Sequence, residues 1–169
     1  MPYGLGLERT ANRLAAPNPL WGRAFEEEAA RIRAAAGPDV LAIEHYGSTS
    51  VPGLCAKPII DLLVGVADLS VADRHAPAML ALGYDVSGNG GVDGHRIFGK
   101  GAARTHLAHF VVHGGAEWVA TLRFRDMLRA DAGLCSAYEQ LKSRLVAEHP
   151  TDRAAYTAGK SEFILAALA

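Results

Sequence analysis

Cysteine is scarce in this chain of 169 residues: Cys55 and Cys135 are its two, far apart and in no CxxC unit. That excludes a disulfide framework or a thiolate metal cluster as the organising principle. One bridge at most is available, and two reduced, partly buried thiols of a cytosolic protein are the expectation. Long apolar runs are missing as well. None approaches the ~18 residues that a membrane span needs. A charge of one sign is lacking too, since 17 Lys and Arg oppose 18 Asp and Glu for a net −1. Bulk attraction to nucleic acid or to an anionic membrane is therefore not expected, although a local basic site for a small anion is compatible with that balance. The first residues, Met1 to Gly6, carry no basic stretch followed by an apolar one, so no signal peptide is expected and the cytoplasm is the expected place. Repeats and low-complexity segments are also absent.

What remains has the balance of an ordinary globular protein, 50% hydrophobic and 21% charged, long enough to bury a real core as one domain over residues 1–169. Trp21, Phe25, Ala29, Ile32 and Ala36 recur at threes and fours and predict a helix over Pro19 to Ala36, with Asn18 as cap and Gly37-Pro38-Asp39 as stop. Val40 to Tyr46 reads as a strand that ends at the polar turn Gly47-Ser48-Thr49-Ser50. Ile59 to Val66 reads as a strand with aliphatic residues on both faces, hence central. A helix over Val71 to Leu82 follows. Next comes a glycine-rich segment from Tyr84 to Gly101 with a short strand at Arg96-Ile97-Phe98, and then a strand over Thr105 to His113. Three helices close the chain: Trp118 to Arg129, Gly133 to Glu148 and Arg153 to Leu168. The order predicts a mixed α/β or α+β domain with a helical C-terminal half.

One carboxylate stands out. Asp61 sits in an otherwise aliphatic strand, and a lone buried carboxylate is expensive unless it is paired, metal-bound or open to a cleft. A strand ending in Gly47-Ser48, a short connection and a strand bearing Asp61 together suit a phosphate and a metal. Glycine lets backbone N–H groups approach an anion, and the Ser48, Thr49 and Ser50 hydroxyls add donors. Lys57 places a cation near the same phosphates, and Asp61 suits Mg²⁺ bridging them. The same serines and threonine before Pro52-Gly53 would also serve an ordinary loop.

The stretch from Glu44 to Leu54, EHYGSTSVPGL, followed by Ala56-Lys57-Pro58-Ile59-Ile60-Asp61, resembles the GrpB family. So do Trp21 with Phe25 and Glu28, Arg104-Thr105-His106 with His109, and Leu122-Arg123-Phe124-Arg125-Asp126 with Leu128-Arg129. Tyr138, Leu141 and Lys142 fit the family's next helix, and Tyr156-Thr157 with Lys160 and Phe163 its last. The resemblance runs from about Asn18 to the C-terminus. It implies a nucleotidyltransferase-like α+β fold of the polymerase-β type, a mixed β-sheet flanked by helices. That superfamily's signature is Gly-Ser followed by an Asp-x-Asp/Glu pair. Here Leu63 stands at the second carboxylate position, and two-metal chemistry normally needs several carboxylates.

His106 and His109 are the candidate substitutes as metal ligands. Three apart on a strand, they point to opposite faces unless a bulge intervenes, so one of them faces Asp61. His109, on the Leu107/Val111 face, packs inward in this reading; a strand histidine equally serves structure. An imidazole ligand would make the site more tolerant of Zn²⁺, Mn²⁺ or Ni²⁺ than a dedicated Mg²⁺ site. By resemblance, Arg104, Arg125, Lys142 and Lys160 approach a triphosphate; the alternative is an interhelical salt bridge made by Arg125/Asp126, with Lys142 and Lys160 solvated. The segment from Gly88 to Gly101 is expected to be mobile and to close over a ligand, and its spacing matches neither a dinucleotide fingerprint nor a Walker A loop.

Two classes of function follow as expectations. The first is a metal-dependent nucleotidyltransferase acting on a nucleoside triphosphate and a small acceptor, with Asp61, Lys57 and Ser48 in catalytic roles. The second is a domain that binds a nucleotide or phosphate ligand and has lost transfer chemistry. A ligase-type enzyme reusing the pocket is a third, without a Ser-His-Asp or Cys-His motif in its favour.

Overall fold

The computed structural model of the chain describes residues 3–87 and 94–169. Of the segment expected to be mobile, Gly88 to Gly101, residues 88–93 lie outside them. Helix α1 (Trp21–Ala36) leads into strands β1 (Val40–Tyr46) and β2 (Ile60–Val66), helix α2 (Ser70–Ala81), and strands β3 (Tyr84–Val86), β4 (Arg96–Lys100) and β5 (His106–Val112). Helices α3 (Ala116–Ala130), α4 (Ala132–Glu148) and α5 (Arg153–Leu168) complete it. The strands form one sheet in the order β1-β2-β5-β4-β3. Only β2 and β5 run parallel; the other neighbours are antiparallel. This is the mixed α+β architecture that the pattern of elements predicts.

The helical period of α1 turns all five of its predicted apolar positions inward; Trp21, Phe25, Ala29, Ile32 and Ala36 are buried. Asn18 Oδ1 accepts from the Leu20 N–H at 2.9 Å, so it ties the entrance, and the regular helix begins at Trp21. With α2, this helix covers one face of the sheet, where Ile43, Leu62, Val64, Ala108 and Phe110 lie. Alternation sends Leu63 and Val111 to the other face, under Trp118 and Leu122 of α3. Strand β2 is thus buried on both sides. Gly65 makes room for this cover, because a Cβ there would lie 2.8 Å from the Trp118 ring.

The last three helices pack their own cluster of Leu128, Tyr138, Phe124 and Phe163 against Val51 and Leu54, the segment that follows the polar turn. Between α3 and α4 stands a single residue, Asp131, whose carboxylate accepts from the Leu134 N–H at 2.9 Å. Asp152 does the same for α5 through Ala155. Asp131→Ala is expected to lower stability by about 1 kcal/mol, read from the midpoint of urea denaturation. An unchanged midpoint would show that this cap contributes nothing. No helix among the described residues is long and apolar enough to cross a membrane.

Candidate functional site

The antiparallel register of β1 and β2 sets Tyr46 opposite Asp61, so the chain leaves β1 directly beside that carboxylate. Gly47 then turns away with φ 71°. A Cβ at this position would sit 2.3 Å from Asp61 Oδ2. Glycine is required twice over, by the left-handed backbone and by the closeness of Asp61. The next residues form a single 3₁₀ turn, Ser48–Ser50. Ser50 is turned to the loop itself: its N–H and its hydroxyl both donate to the Gly47 carbonyl, at 3.1 and 2.7 Å. Thr49 Oγ1 lies 3.0 Å from His45 Nε2, and that ring stacks on Phe25. Burial pushes the His45 pKa down to about 4, so this imidazole is neutral and serves the turn.

Helix α3 holds the turn from outside. Arg129 donates to the Ser50 carbonyl at 2.9 and 3.1 Å. Arg125 donates to Glu44 Oε2 at 2.7 Å and to the His45 carbonyl at 3.0 Å, and also meets Asp126 at 2.8 Å. The Arg125–Asp126 pair anticipated from the sequence forms, but within one helix.

A cavity of about 530 Å³ opens between this turn, the β2–β5 pair and helices α3 and α5. Gly47, Ser48, Thr49, Lys57, Asp61, His109, Arg125 and Lys160 line it, joined by Arg153, Tyr46, Tyr138 and Tyr156. Lys57 Nζ donates to Asn12 Oδ1 at 2.5 Å. The Asn12 amide nitrogen in turn donates to the His149 and Asp152 carbonyls at 2.6 and 3.0 Å, which fixes its oxygen as an acceptor. The Tyr156 ring takes two ammonium groups, Lys57 at 3.7 Å and Lys160 at 4.7 Å from its centroid. Arg153 stands one turn earlier on the same helix, and its Nε is buried without a hydrogen-bond partner.

These cations are short of counter-charge. Among the described residues no carboxylate lies within 4.0 Å of Lys57, Arg153 or Lys160, whereas eleven Lys or Arg side-chain contacts with carboxylates form elsewhere. Burial, reinforced by Arg153 and Lys160, pushes the Lys57 ammonium down to about 7, against the pull of Asp61. Burial likewise lowers Lys160 and Arg153. The cavity therefore gathers three cations that burial disfavours, with Asp61 as a counter-charge acting from beyond ion-pair distance.

Strand alternation separates the two histidines. His109 faces the cavity, with Nε2 at 3.7 Å from Asp61 Oδ1 and neither ring nitrogen hydrogen-bonded. His106 points to the opposite face, where its Nδ1 meets Thr105 Oγ1 at 2.9 Å and burial pushes it down to about 4. The anticipated metal set of Asp61, His106 and His109 is thus split. Leu63, on the Asp61 face, is fully buried with Val111 and Trp118. Among the described residues no group of three His, Cys, Asp or Glu side chains converges. The residues present do not fit a two-metal centre.

Two other anticipated phosphate ligands lie outside the cavity. Arg104 is buried and its guanidinium is used up by Asp85, Ser87 and the Gly99 and Gly101 carbonyls. Lys142 is buried in α4 and donates to the Cys55 carbonyl. Sequence reasoning missed Arg153, Tyr156 and Asn12. A signal for the first two existed: Arg153, Tyr156 and Lys160 recur at helical spacing and mark one face of α5. Asn12 carried none, because only tertiary structure brings it to Lys57.

Residues 12–169 match the sequence profile of the GrpB protein family. The chain belongs to the GrpB family. The Bacillus subtilis member described as UPF0157 protein YqkA is 40% identical over 148 residues, 87% of this chain. The chain spans less than half of that relative, 43% of its length. The crystal structure of the conserved protein GrpB from Enterococcus faecalis superposes with a TM-score of 0.83 at 34% identity, over 92% of this chain and 97% of that one. Beyond the GrpB family, Cid1 in complex with its short product ApU superposes with a TM-score of 0.51 at 17% identity, over 78% of this chain and 42% of that one. That likeness shows a shared nucleotidyltransferase-like fold.

Proposed function

We propose that this GrpB-family domain binds the phosphate groups of a small ligand in the cavity beside Gly47 and Ser48, with nucleoside triphosphates as the first candidates. The cluster of Lys57, Arg153 and Lys160, with no carboxylate within ion-pair distance of any of the three among the described residues, carries this reading. Holding cations partly out of water without a counter-ion is unfavourable by several kcal/mol per ion in a dry site, and a polyanion offsets that cost directly. The Gly47–Ser48 turn adds backbone N–H and hydroxyl donors, and the Tyr156 ring keeps both lysines in place.

Calorimetric titration with each nucleoside triphosphate and with pyrophosphate tests it. Binding that weakens tenfold or more in Lys160→Met supports the cradle; no binding by any of them removes the proposal.

A second reading, nucleotidyl transfer to a small acceptor, is favoured by one observation: Asp61 lies at the turn, partly open to the cavity, next to His109. A single Mg²⁺ or Mn²⁺, or Zn²⁺ or Ni²⁺ given the imidazole, is the arrangement that Asp61 and His109 leave open, and it would add charge neutralisation at the phosphates. Pyrophosphate release that depends on metal and vanishes in Asp61→Ala supports transfer. Tight binding without release under every metal leaves the domain a binder.

A further inference from the structure

The cations occupy one part of the cavity only. On α5, Arg153, Tyr156 and Lys160 give way along the same face to Ile164, Leu165 and Leu168, which also line the cavity. Facing them on α3 are Ala120, Phe124 and Leu128, spaced i, i+4, i+8 on a single stripe. From Lys160 to Leu168 the helix rises ~12 Å, so the apolar wall extends well beyond the reach of the phosphate cradle. Leu165 sits at its mouth, 69% exposed, the most exposed of the large apolar side chains among the described residues. Leu128 is buried in the helical core and Phe124 and Ile164 pack against it, but a phosphate seated at Lys57 and Lys160 leaves Leu165 and the cavity side of this wall facing water unless the rest of the ligand covers them.

We propose that the wall between α3 and α5 holds an uncharged aliphatic body joined to the phosphates, so that the ligand is an amphipathic phosphate or diphosphate ester. The inference rests on the phosphate-binding reading above and adds the class of molecule. Two features support it. Beyond the cradle the six apolar side chains outnumber the polar Glu117, Thr121 and Thr157 that line the cavity beside them. Contact between aliphatic surfaces needs no directional partner, and each methylene removed from water strengthens binding. An amphipathic ester would place charge against Lys57, Arg153 and Lys160 and its body against Phe124, Ile164 and Leu165, in the order in which α5 presents them.

Calorimetry on the full chain with pyrophosphate, ATP and geranyl diphosphate tests the inference. Geranyl diphosphate is expected to bind at least tenfold more tightly than pyrophosphate. Leu165→Asn, at an exposed position, is expected to erase most of that gain and, being neutral, to leave pyrophosphate affinity unchanged; Ala120→Gln is expected to act alike from the opposite wall. Equal affinities for the two diphosphates overturn the inference while the phosphate-binding reading stands. A gain that survives both substitutions overturns it as well, since the aliphatic body then lies elsewhere. Failure of all three compounds to bind removes the phosphate-binding reading, and this inference with it.

Discussion

Between pH 7 and about 9.5 the ligand-free protein is expected to become more stable, by about 1–2 kcal/mol, while its affinity for phosphate ligands falls. Both effects come from Lys57, whose ammonium is pushed from the ordinary 10.5 to about 7, chiefly by burial. A lysine with a lowered native pKa holds fewer protons in the folded than in the unfolded chain between the two values. Stability therefore rises with pH across that window. Each unit is worth 1.36 kcal/mol at most, and the figure is discounted because water reaches part of the side chain. Lys142, pushed down to about 8 by burial, acts in the same direction. Above pH ~10 the sign reverses, because burial holds the Tyr138 and Tyr156 hydroxyls protonated in the fold.

Ligand binding runs the other way. A phosphate beside Lys57 keeps it charged, so above pH 7 binding must take up a proton, and affinity drops by up to ~tenfold per unit. Lys57→Gln keeps a donor within the site and removes the titration. It is expected to flatten the binding profile, to leave only the shallower rise in stability that Lys142 supplies, and to weaken phosphate binding at pH 6.5 by about tenfold. Thermal denaturation and calorimetry across the pH range measure the two arms. A wild-type melting temperature that stays level from pH 7 to 9.5 would show that Lys57 is not burdened in the free protein.

Gly47→Ala is expected to be the most damaging single methyl group in the chain. The added carbon meets Asp61 Oδ2 at 2.3 Å on a backbone with φ 71°. The left-handed conformation costs about 1–2 kcal/mol for alanine, and overpacking adds a further 1–3 kcal/mol or so. The loss should reach about 2–5 kcal/mol, with phosphate affinity falling as the turn shifts. The two parts can be separated. In the double variant Gly47→Ala, Asp61→Gly the clash is gone and the backbone strain remains, so the two substitutions should be strongly non-additive. Additive losses would mean that Asp61 does not confine position 47.

The architecture was legible because it follows from period. Alternation over Ile59 to Val66 with no polar face implied a central strand, and β2 is covered on both sides. The same parity, applied to His106 and His109, implied that they part company across the sheet, and it leaves His109 beside Asp61. Cations were harder to read. Arg104 and Lys142 look no different in sequence from Arg153 and Lys160, yet Arg104 ends on Asp85 and on backbone carbonyls, and Lys142 on the Cys55 carbonyl. A long flexible side chain reports its charge but not where its tip lies, and backbone acceptors leave no mark in a sequence. Helical spacing on α5 was the one available discriminator, since Arg153, Tyr156 and Lys160 share the face that meets the cavity.

Leu63 has a bearing on any attempt to rebuild a second carboxylate. It is sealed beneath Trp118, and Gly65 two positions on leaves the space that the indole ring fills. Leu63→Asp would set a carboxylate in that buried layer with the neighbouring His109 ring as its nearest polar group, and the side chain would stay neutral or disturb the packing under Trp118. Recovering a two-ion site would demand a smaller residue at 118, a carboxylate at 63 and a new hold for α3 on the turn, all at once. Each change alone destabilises the domain without adding a ligand. Directed selection by single substitutions faces a valley here, and a library that varies positions 63 and 118 together is the route across it.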